Sequence, residues 1–299
     1  MAPCHDAAVK VHLIDGTYEL FRHHYGLPEE ARTSTTAATR GVLNSLLYML
    51  DEGVTHIGVA TDHVVESFRN HLWPGYKSSA GMPPELLVQF PLLEEGLAAM
   101  GVVVWPMVEY EADDALASAA AVAADDPEVE QVIICTPDKD LGQCVVGSRV
   151  VQLDRRKQVL YDADGIKAKF GVEPTSIPDY LALVGDSSDG FPGLPGWGAK
   201  TTAAVLARYG HIEDIPLSPG QWDVPVRGAG TLALTLANQM EDARLFKLLA
   251  TLRVERDLLP SVGTLRWPGP AVGFAEFCAA IDGERVLEKA LALGAKVKH

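Results

Sequence analysis

Short apolar runs that end on an acid recur through the first half of the chain. Val9–Ile14 is followed by Asp15-Gly16, His56–Ala60 by Thr61-Asp62, and Val132–Cys135 by Thr136-Pro137-Asp138. Runs of this length, bounded by turn-forming residues, read as buried strands, and Val102–Trp105 is a fourth. Between them lie helical patterns: Thr39–Leu50 (apolar at Val42, Leu46, Met49 and Leu50), the amphipathic Glu85–Met100, and the alanine-rich Ala112–Ala124. Strands alternating with helices predict a parallel sheet with crossover helices. Val150–Leu153 and Gln158–Tyr161, on either side of Asp-Arg-Arg-Lys, predict a hairpin at its edge. From Asp162 onward the pattern is mostly helical, with one weak strand candidate at Leu252–Val254 and a Pro- and Gly-rich loop at Ile215–Gly230. The expected architecture is an α/β fold with a central, mainly parallel sheet in residues 1–175 and a helical half in residues 176–299.

In an open parallel sheet, ligands bind beyond the carboxyl ends of the strands. Asp15, Asp62 and Asp138 each follow a strand candidate at that edge, with Asp140 two residues beyond Asp138. Glu111, Asp113 and Asp114 follow the Val102–Trp105 strand, at the start of a helix. A single acid after a strand is ordinarily a helix cap or a first-turn residue favoured by the helix dipole. Four segments delivering carboxylates to one rim are different, because crowded like charges repel unless cations neutralise them. Oxygen-only ligands suit Mg²⁺ or Mn²⁺ rather than zinc. Two such ions, roughly 4 Å apart, can activate a water and stabilise the leaving oxygen of a phosphodiester.

A further acidic pair, Asp186 and Asp189, lies in Gly185-Asp-Ser-Ser-Asp-Gly190. It leads into a Gly-Pro-rich turn, Gly193 to Gly198 with Gly196 and Trp197 inside it, and then into a helix beginning near Lys200-Thr201. Backbone N–H groups at such a helix N-terminus form a phosphate seat.

The formal net charge of −15 sits awkwardly with nucleic-acid binding. Nine acids are assigned to the candidate site, and removing their charges leaves −6. Any affinity for nucleic acid is therefore expected to be modest, metal-dependent and salt-sensitive. Hydrophobic residues at 47% and charged residues at 22% are those of a globular chain. No run approaches the roughly 18 apolar residues of a membrane span, and the N-terminus carries no secretory pattern. The four cysteines (Cys4, Cys135, Cys144, Cys278) lack zinc-site spacing and read as reduced thiols of a cytoplasmic protein. A haloacid-dehalogenase-type phosphatase is disfavoured, since its paired aspartates would need one at Leu13 or Thr17.

These residues resemble the 5′-nuclease family of flap endonucleases, phage 5′-exonucleases and the N-terminal nuclease domain of bacterial DNA polymerase I. The similar segments run in order along nearly the whole chain: Leu13–Gly16, Thr61-Asp62 with Ser67–Arg69 and Gly75–Lys77, Tyr110–Ala117, Thr136–Leu141, and Gly185–Asp189 with the following hairpin. The resemblance implies a PIN-like 5′-nuclease fold. It would carry a helical arch at about 66–100 and a helix–three-turn–helix element at about 180–210. It implies metal-dependent 5′-3′ exonuclease or flap-endonuclease action in replication and repair. Asp15, Asp62, Glu111, Asp113 and Asp138 would hold Mg²⁺ or Mn²⁺, with Asp114 and Asp140 beside them and Asp186 and Asp189 at a second metal position. Lys77 would meet the scissile phosphate and, with Asp15 and Asp113, form the catalytic set. Arg22, Arg69, Gly193, Gly196, Trp197, Gly198, Lys200 and Thr201 would contact DNA, with K⁺ on the hairpin carbonyls. The implied partner is nicked or 5′-flapped duplex DNA, or an RNA primer, bound by a free-standing monomeric nuclease. The alternative within the family is a catalytically silent DNA-structure binder. One departure stands out: no Lys or Arg occurs from Ser78 to Met100, where the family's arch is more basic.

Overall fold

The computed structural model describes residues 9–297, so Cys4 lies outside the described residues. In chain order the elements are β1 (Val9–Asp15), α1 (Gly16–Tyr25), α2 (Ala37–Asp51), β2 (His56–Asp62), α3 (Phe68–Leu72), α4 (Pro84–Leu87) and α5 (Gln89–Ala99). There follow β3 (Val103–Met107), α6 (Ala112–Asp125), β4 (Val129–Cys135), β5 (Val150–Asp154), β6 (Val159–Tyr161), α7 (Ala163–Phe170) and α8 (Ile177–Val184). The chain ends with α9 (Ala199–Tyr209), α10 (Ala229–Asn238), α11 (Met240–Ala250), α12 (Phe274–Ala280) and α13 (Glu284–Val297).

The described chain forms two compact units. The first comprises the residues up to Val65, Ser79–Thr136 and the residues from Val254 onward. Its four strands run parallel in the order β3-β2-β1-β4. Every residue of β2 is buried, as expected for an interior parallel strand covered on both faces. β3 lies at the edge of this order, and its exposed Pro106 is tolerated there because an edge strand need not donate outward. Helix α6 packs against all four strands, α1 and α5 pack on β2, and α2 contacts α1, α5 and α13.

The second unit comprises Glu66–Ser78 and Pro137–Arg253. It holds the antiparallel hairpin β5–β6 and a helical core that includes Ile177, Leu181, Val205, Leu206, Leu236 and Phe246. Burial of these side chains drives the association of α8, α9 and α11. The chain is thus α/β with a mainly parallel sheet, as its pattern predicts. The units are not the two halves of a single cut near 175. The apolar faces of α12 and α13 are buried beside α5 and α2 in the first unit, and Glu66–Ser78 belongs to the second.

Two local expectations are corrected. Glu85–Met100 is not one helix but α4 and α5, divided at Val88. Pro91 lacks the N–H that would bond to the Leu87 carbonyl, so the helical ladder restarts there. Leu252–Val254 forms no strand. The Leu252 N–H donates to the Gln143 side chain at 3.1 Å rather than to a β ladder.

Candidate metal-binding and DNA-binding residues

In the first unit the acids sit where strands end and helices begin. Asp15 closes β1 and caps α1: one carboxylate oxygen accepts from Tyr18 N–H at 2.8 Å, the other from the Thr136 hydroxyl at 2.8 Å. Asp62 closes β2; its N–H donates to the Thr17 hydroxyl at 2.9 Å, and its Oδ1 accepts from Ala112 N–H at 2.8 Å. That bond ties the end of β2 to the first residue of α6. Glu111 is the N-cap of α6, and its own N–H donates to Asp114 Oδ2 at 2.9 Å, a reciprocal capping box. Asp15, Asp62, Glu111 and Asp114 are buried, whereas Asp113 is half-buried in the first turn of α6. The helix dipole favours negative charge in that turn. Asp114 is therefore committed to capping, and Asp113 is the more accessible of the pair.

In the second unit Asp140, Asp186 and Asp189 converge, each with a carboxylate oxygen within 4.8 Å of the others. Among the described residues no other group of three is as tight. The convergence has local causes. Asp138 Oδ1 accepts from Asp140 N–H at 3.0 Å, turning the chain sharply after the Thr136-Pro137 step, and Gln152 Nε2 donates to the Asp138 carbonyl. The Asp186–Phe191 segment closes as a tight backbone loop, with Asp186 N–H donating to Phe191 O at 2.8 Å and Phe191 N–H returning to Asp186 O at 3.1 Å. All three acids are buried, and Asp140 Oδ1 has no hydrogen-bond donor. Burial and the charges of Asp138, Asp189 and Asp186 push the Asp140 carboxyl well above the usual carboxylate range, with Lys139 acting against them. An orphaned buried oxygen beside two more carboxylates suits a hard divalent cation.

Two lysines face this cluster. Lys77 Nζ lies 3.2 Å from Asp189 Oδ1, and Lys139 Nζ lies 2.6 Å from Asp186 Oδ2. Burial works against the Lys139 charge, yet its bond to Asp186 and the nearness of Asp186, Asp140 and Asp138 hold the ammonium above the ordinary lysine value. Sequence reasoning overlooked Lys139, although a lone cation between two acids in Asp138-Lys-Asp140 was the available signal.

Of the residues expected to contact DNA, Lys200 and Gly198 are exposed at the start of α9, with Thr201 half-buried in the same turn. Gly196 is also exposed. Trp197 is buried, with its ring 6.0 Å from that of Trp222, so it packs as the apolar plug of its turn. Gly193 is buried at φ +69°, where an added Cβ would lie 2.3 Å from the Gly185 backbone nitrogen; it is required for packing the turn onto the end of α8. Arg69 corrects the expectation for it. Its side chain is fully buried, Nε donates to the Leu249 carbonyl at 2.8 Å and Nη2 to that of Thr251 at 3.2 Å, so it ties α3 to the end of α11 and presents nothing to a phosphate. Arg22 is held by the buried Glu19. His24 is buried as well, and burial lowers its pKa.

Comparison with known proteins places this arrangement. Residues 10–171 match the family model described as 5′-3′ exonuclease, N-terminal resolvase-like domain, and residues 172–272 the one described as 5′-3′ exonuclease, C-terminal SAM fold. DNA polymerase I of Pseudomonas aeruginosa is 35% identical over 272 residues, covering 86% of this chain and 28% of that protein. The 5′-3′ exonuclease of Aquifex aeolicus is 33% identical over 209 residues, covering 69% of this chain and 71% of that one. The chain spans less than a third of the DNA polymerase I it matches. Among solved structures, phage T5 5′-exonuclease with bound divalent metal ions (zinc) has a TM-score of 0.64 at 18% identity, covering 94% of this chain and 99% of its own. The phage T5 flap endonuclease in a pseudo-enzyme–product complex with DNA and metal ions has a TM-score of 0.63 at 16% identity, covering 97% and 100%. These structural likenesses establish the shared fold, and the sequence matches establish kinship: the chain belongs to the 5′-3′ exonuclease family.

Proposed function

We propose that the chain is a divalent-metal-dependent 5′-nuclease that hydrolyses DNA phosphodiesters near 5′ ends, nicks and short flaps. The observation that carries this reading is the buried Asp140–Asp186–Asp189 cluster, with an orphaned carboxylate oxygen and two lysines facing it. Bare, such a cluster is electrostatically costly, and a purely structural role would be served as well by neutral residues. The buried acids of the other unit, Asp15, Asp62 and Glu111, are the further candidates for ligands, together with Asp113 and Asp138.

Bound Mg²⁺ or Mn²⁺ would supply an activated water and a counter-charge for the leaving oxygen. The remaining work falls to the chain's own groups. Lys77, whose backbone N–H donates to the Asp189 carbonyl at 3.0 Å, would meet the scissile phosphate. The Thr136 hydroxyl and the Ala112 N–H hold the carboxylates of Asp15 and Asp62 in fixed orientations. The turn at Gly196–Gly198 with Lys200 supplies backbone N–H groups and a cation for duplex phosphates, and its carbonyls are the candidate seat for K⁺. Both T5 structures hold metal ions and one holds DNA, which supports the reading by analogy of fold.

The test is cleavage of 5′-labelled nicked, flapped and single-stranded DNA, with an RNA-primed duplex alongside, in Mg²⁺, Mn²⁺ or EDTA. Product on nicked or flapped duplex only with metal supports the reading. Binding to the same substrates without any product would instead assign the chain to the catalytically silent binders.

A further inference from the structure

Both oxygens of Asp186 are already in use. Oδ1 accepts from Ser188 N–H at 2.9 Å and from Asp189 N–H at 3.5 Å, within the loop's own turn. Oδ2 takes the Lys139 ammonium at 2.6 Å. Asp140 is in the opposite condition, with Oδ1 buried and undonated. Within one cluster, then, one carboxylate is open to a cation and its neighbour is closed by a lysine. The backbone donors to Asp186 Oδ1 belong to the short loop that Asp186 and Phe191 close, so they stay beside that oxygen. The lysine can leave cheaply, because its side chain is about one-third exposed and its flexible stem lets the ammonium rehydrate.

We propose that Lys139 is a built-in counter-cation of this cluster. It occupies Oδ2 of Asp186 when no metal is present, and it must release that oxygen before a divalent ion can use Asp186. Lys139 thereby sets the metal concentration at which this position fills. The proposal rests on the reading that these carboxylates hold divalent ions. It adds that one position is occupied by competition rather than by simple addition, and that the competitor is part of the chain. A site of this kind would stay neutralised at low metal and yield to metal without rearrangement of the backbone.

The experiment is a Mn²⁺ titration of the full chain without DNA, following free Mn²⁺ by electron paramagnetic resonance, with thermal unfolding in EDTA and in Mn²⁺ alongside. The proteins are the wild type, Lys139→Met, Lys139→Gln and Lys139→Arg. Removing the charge should tighten one Mn²⁺ site by about tenfold or more, since a competing cation within hydrogen-bonding distance is lost. Lys139→Arg should titrate like the wild type. Lys139→Met and Lys139→Gln should melt lower than wild type in EDTA, and Mn²⁺ should close the gap. If Lys139→Met does not fold, Lys139→Gln, which retains a hydrogen-bond donor, carries the comparison. Equal or weaker Mn²⁺ binding by the uncharged variants, with Mn²⁺ bound normally by the wild type, would overturn this proposal and leave the metal reading standing. No Mn²⁺ bound by any of the four would overturn both.

Discussion

Lys77 is joined to Asp189 twice, through the ammonium to Oδ1 at 3.2 Å and through its backbone N–H to the Asp189 carbonyl at 3.0 Å. The second link fixes the lysine's position independently of its charge. The same strip of chain is clamped again where the Trp73 indole N–H donates to the Gly190 carbonyl at 3.0 Å. Gly190 makes this possible, with φ +83° and an approach in which an added Cβ would lie 2.0 Å from the Gly75 carbonyl oxygen. Gly190→Ala should therefore separate the two segments, costing about 2 kcal/mol or more of stability. Lys77→Ala should leave duplex affinity nearly unchanged while lowering the single-turnover rate by about a hundredfold or more. A Lys77→Ala rate within twofold of wild type would remove Lys77 from the catalytic set.

The pH response of the metal-free protein follows from Asp140. Its folded-state pKa is raised above the ordinary 3.8, so its proton is held more tightly in the folded chain than in the unfolded one. The resulting stabilisation is complete below the ordinary value and is lost as pH rises through the folded value. In EDTA, acidification from neutral pH toward the mildly acid range should therefore protect the wild type relative to Asp140→Asn, whose contribution here does not titrate. Saturating Mn²⁺ should reverse the trend, because the metal-bound form needs the carboxylate. Unfolding midpoints measured across pH for both proteins, with and without Mn²⁺, check this.

Arg69 is expected to matter for folding and not for DNA. Arg69→Ala leaves the carbonyls of Leu249 and Thr251 without their donor and opens a cavity, at a cost of about 2–4 kcal/mol. Arg69→Lys should restore little of it, since a single ammonium cannot reproduce the planar fork. Urea unfolding measures the loss. Under conditions where the variant is folded, its affinity for nicked duplex should stay within about twofold of wild type.

The cation-free stretch Ser78–Met100 predicts a weak hold on single strand. Each phosphate contact contributes about one counterion to the salt dependence of binding, and this segment offers none. Lengthening a 5′ flap should add little affinity, and ends, nicks and very short flaps should be cut preferentially. Titrations of increasing flap length at two salt concentrations test this. Affinity and salt slope rising together with length would show that cations elsewhere hold the flap.

Much of this was legible in the chain itself. Apolar runs stopped by Asp15, Asp62 and Thr136-Pro137-Asp138 marked the strands and the acids at or just beyond their ends, because a buried parallel strand must be apolar and a polar residue ends it. What was hidden depends on tertiary partners. Arg69 reads as a phosphate-binding arginine until the free carbonyls at the end of α11 are in view. Lys139 was overlooked because its partner Asp186, distant in sequence, comes within 2.6 Å only through the fold. The break between α4 and α5 was readable at Pro91, but the helical period around it was the stronger signal.

The central claim is that carboxylates on this chain hold the ions that cut DNA. The most direct measurement is the single-turnover rate on a 5′-labelled nicked duplex as Mg²⁺ is raised from zero, for the wild type and for Asp113→Asn, which removes a charge from the half-buried first-turn acid with almost no change in volume. The account predicts no product in EDTA and a wild-type rate that rises more steeply than first order in Mg²⁺ before saturating. It also predicts an Asp113→Asn rate lower by about a thousandfold at saturating Mg²⁺. Cleavage that persists in EDTA, or an Asp113→Asn rate above about a tenth of wild type, would contradict it.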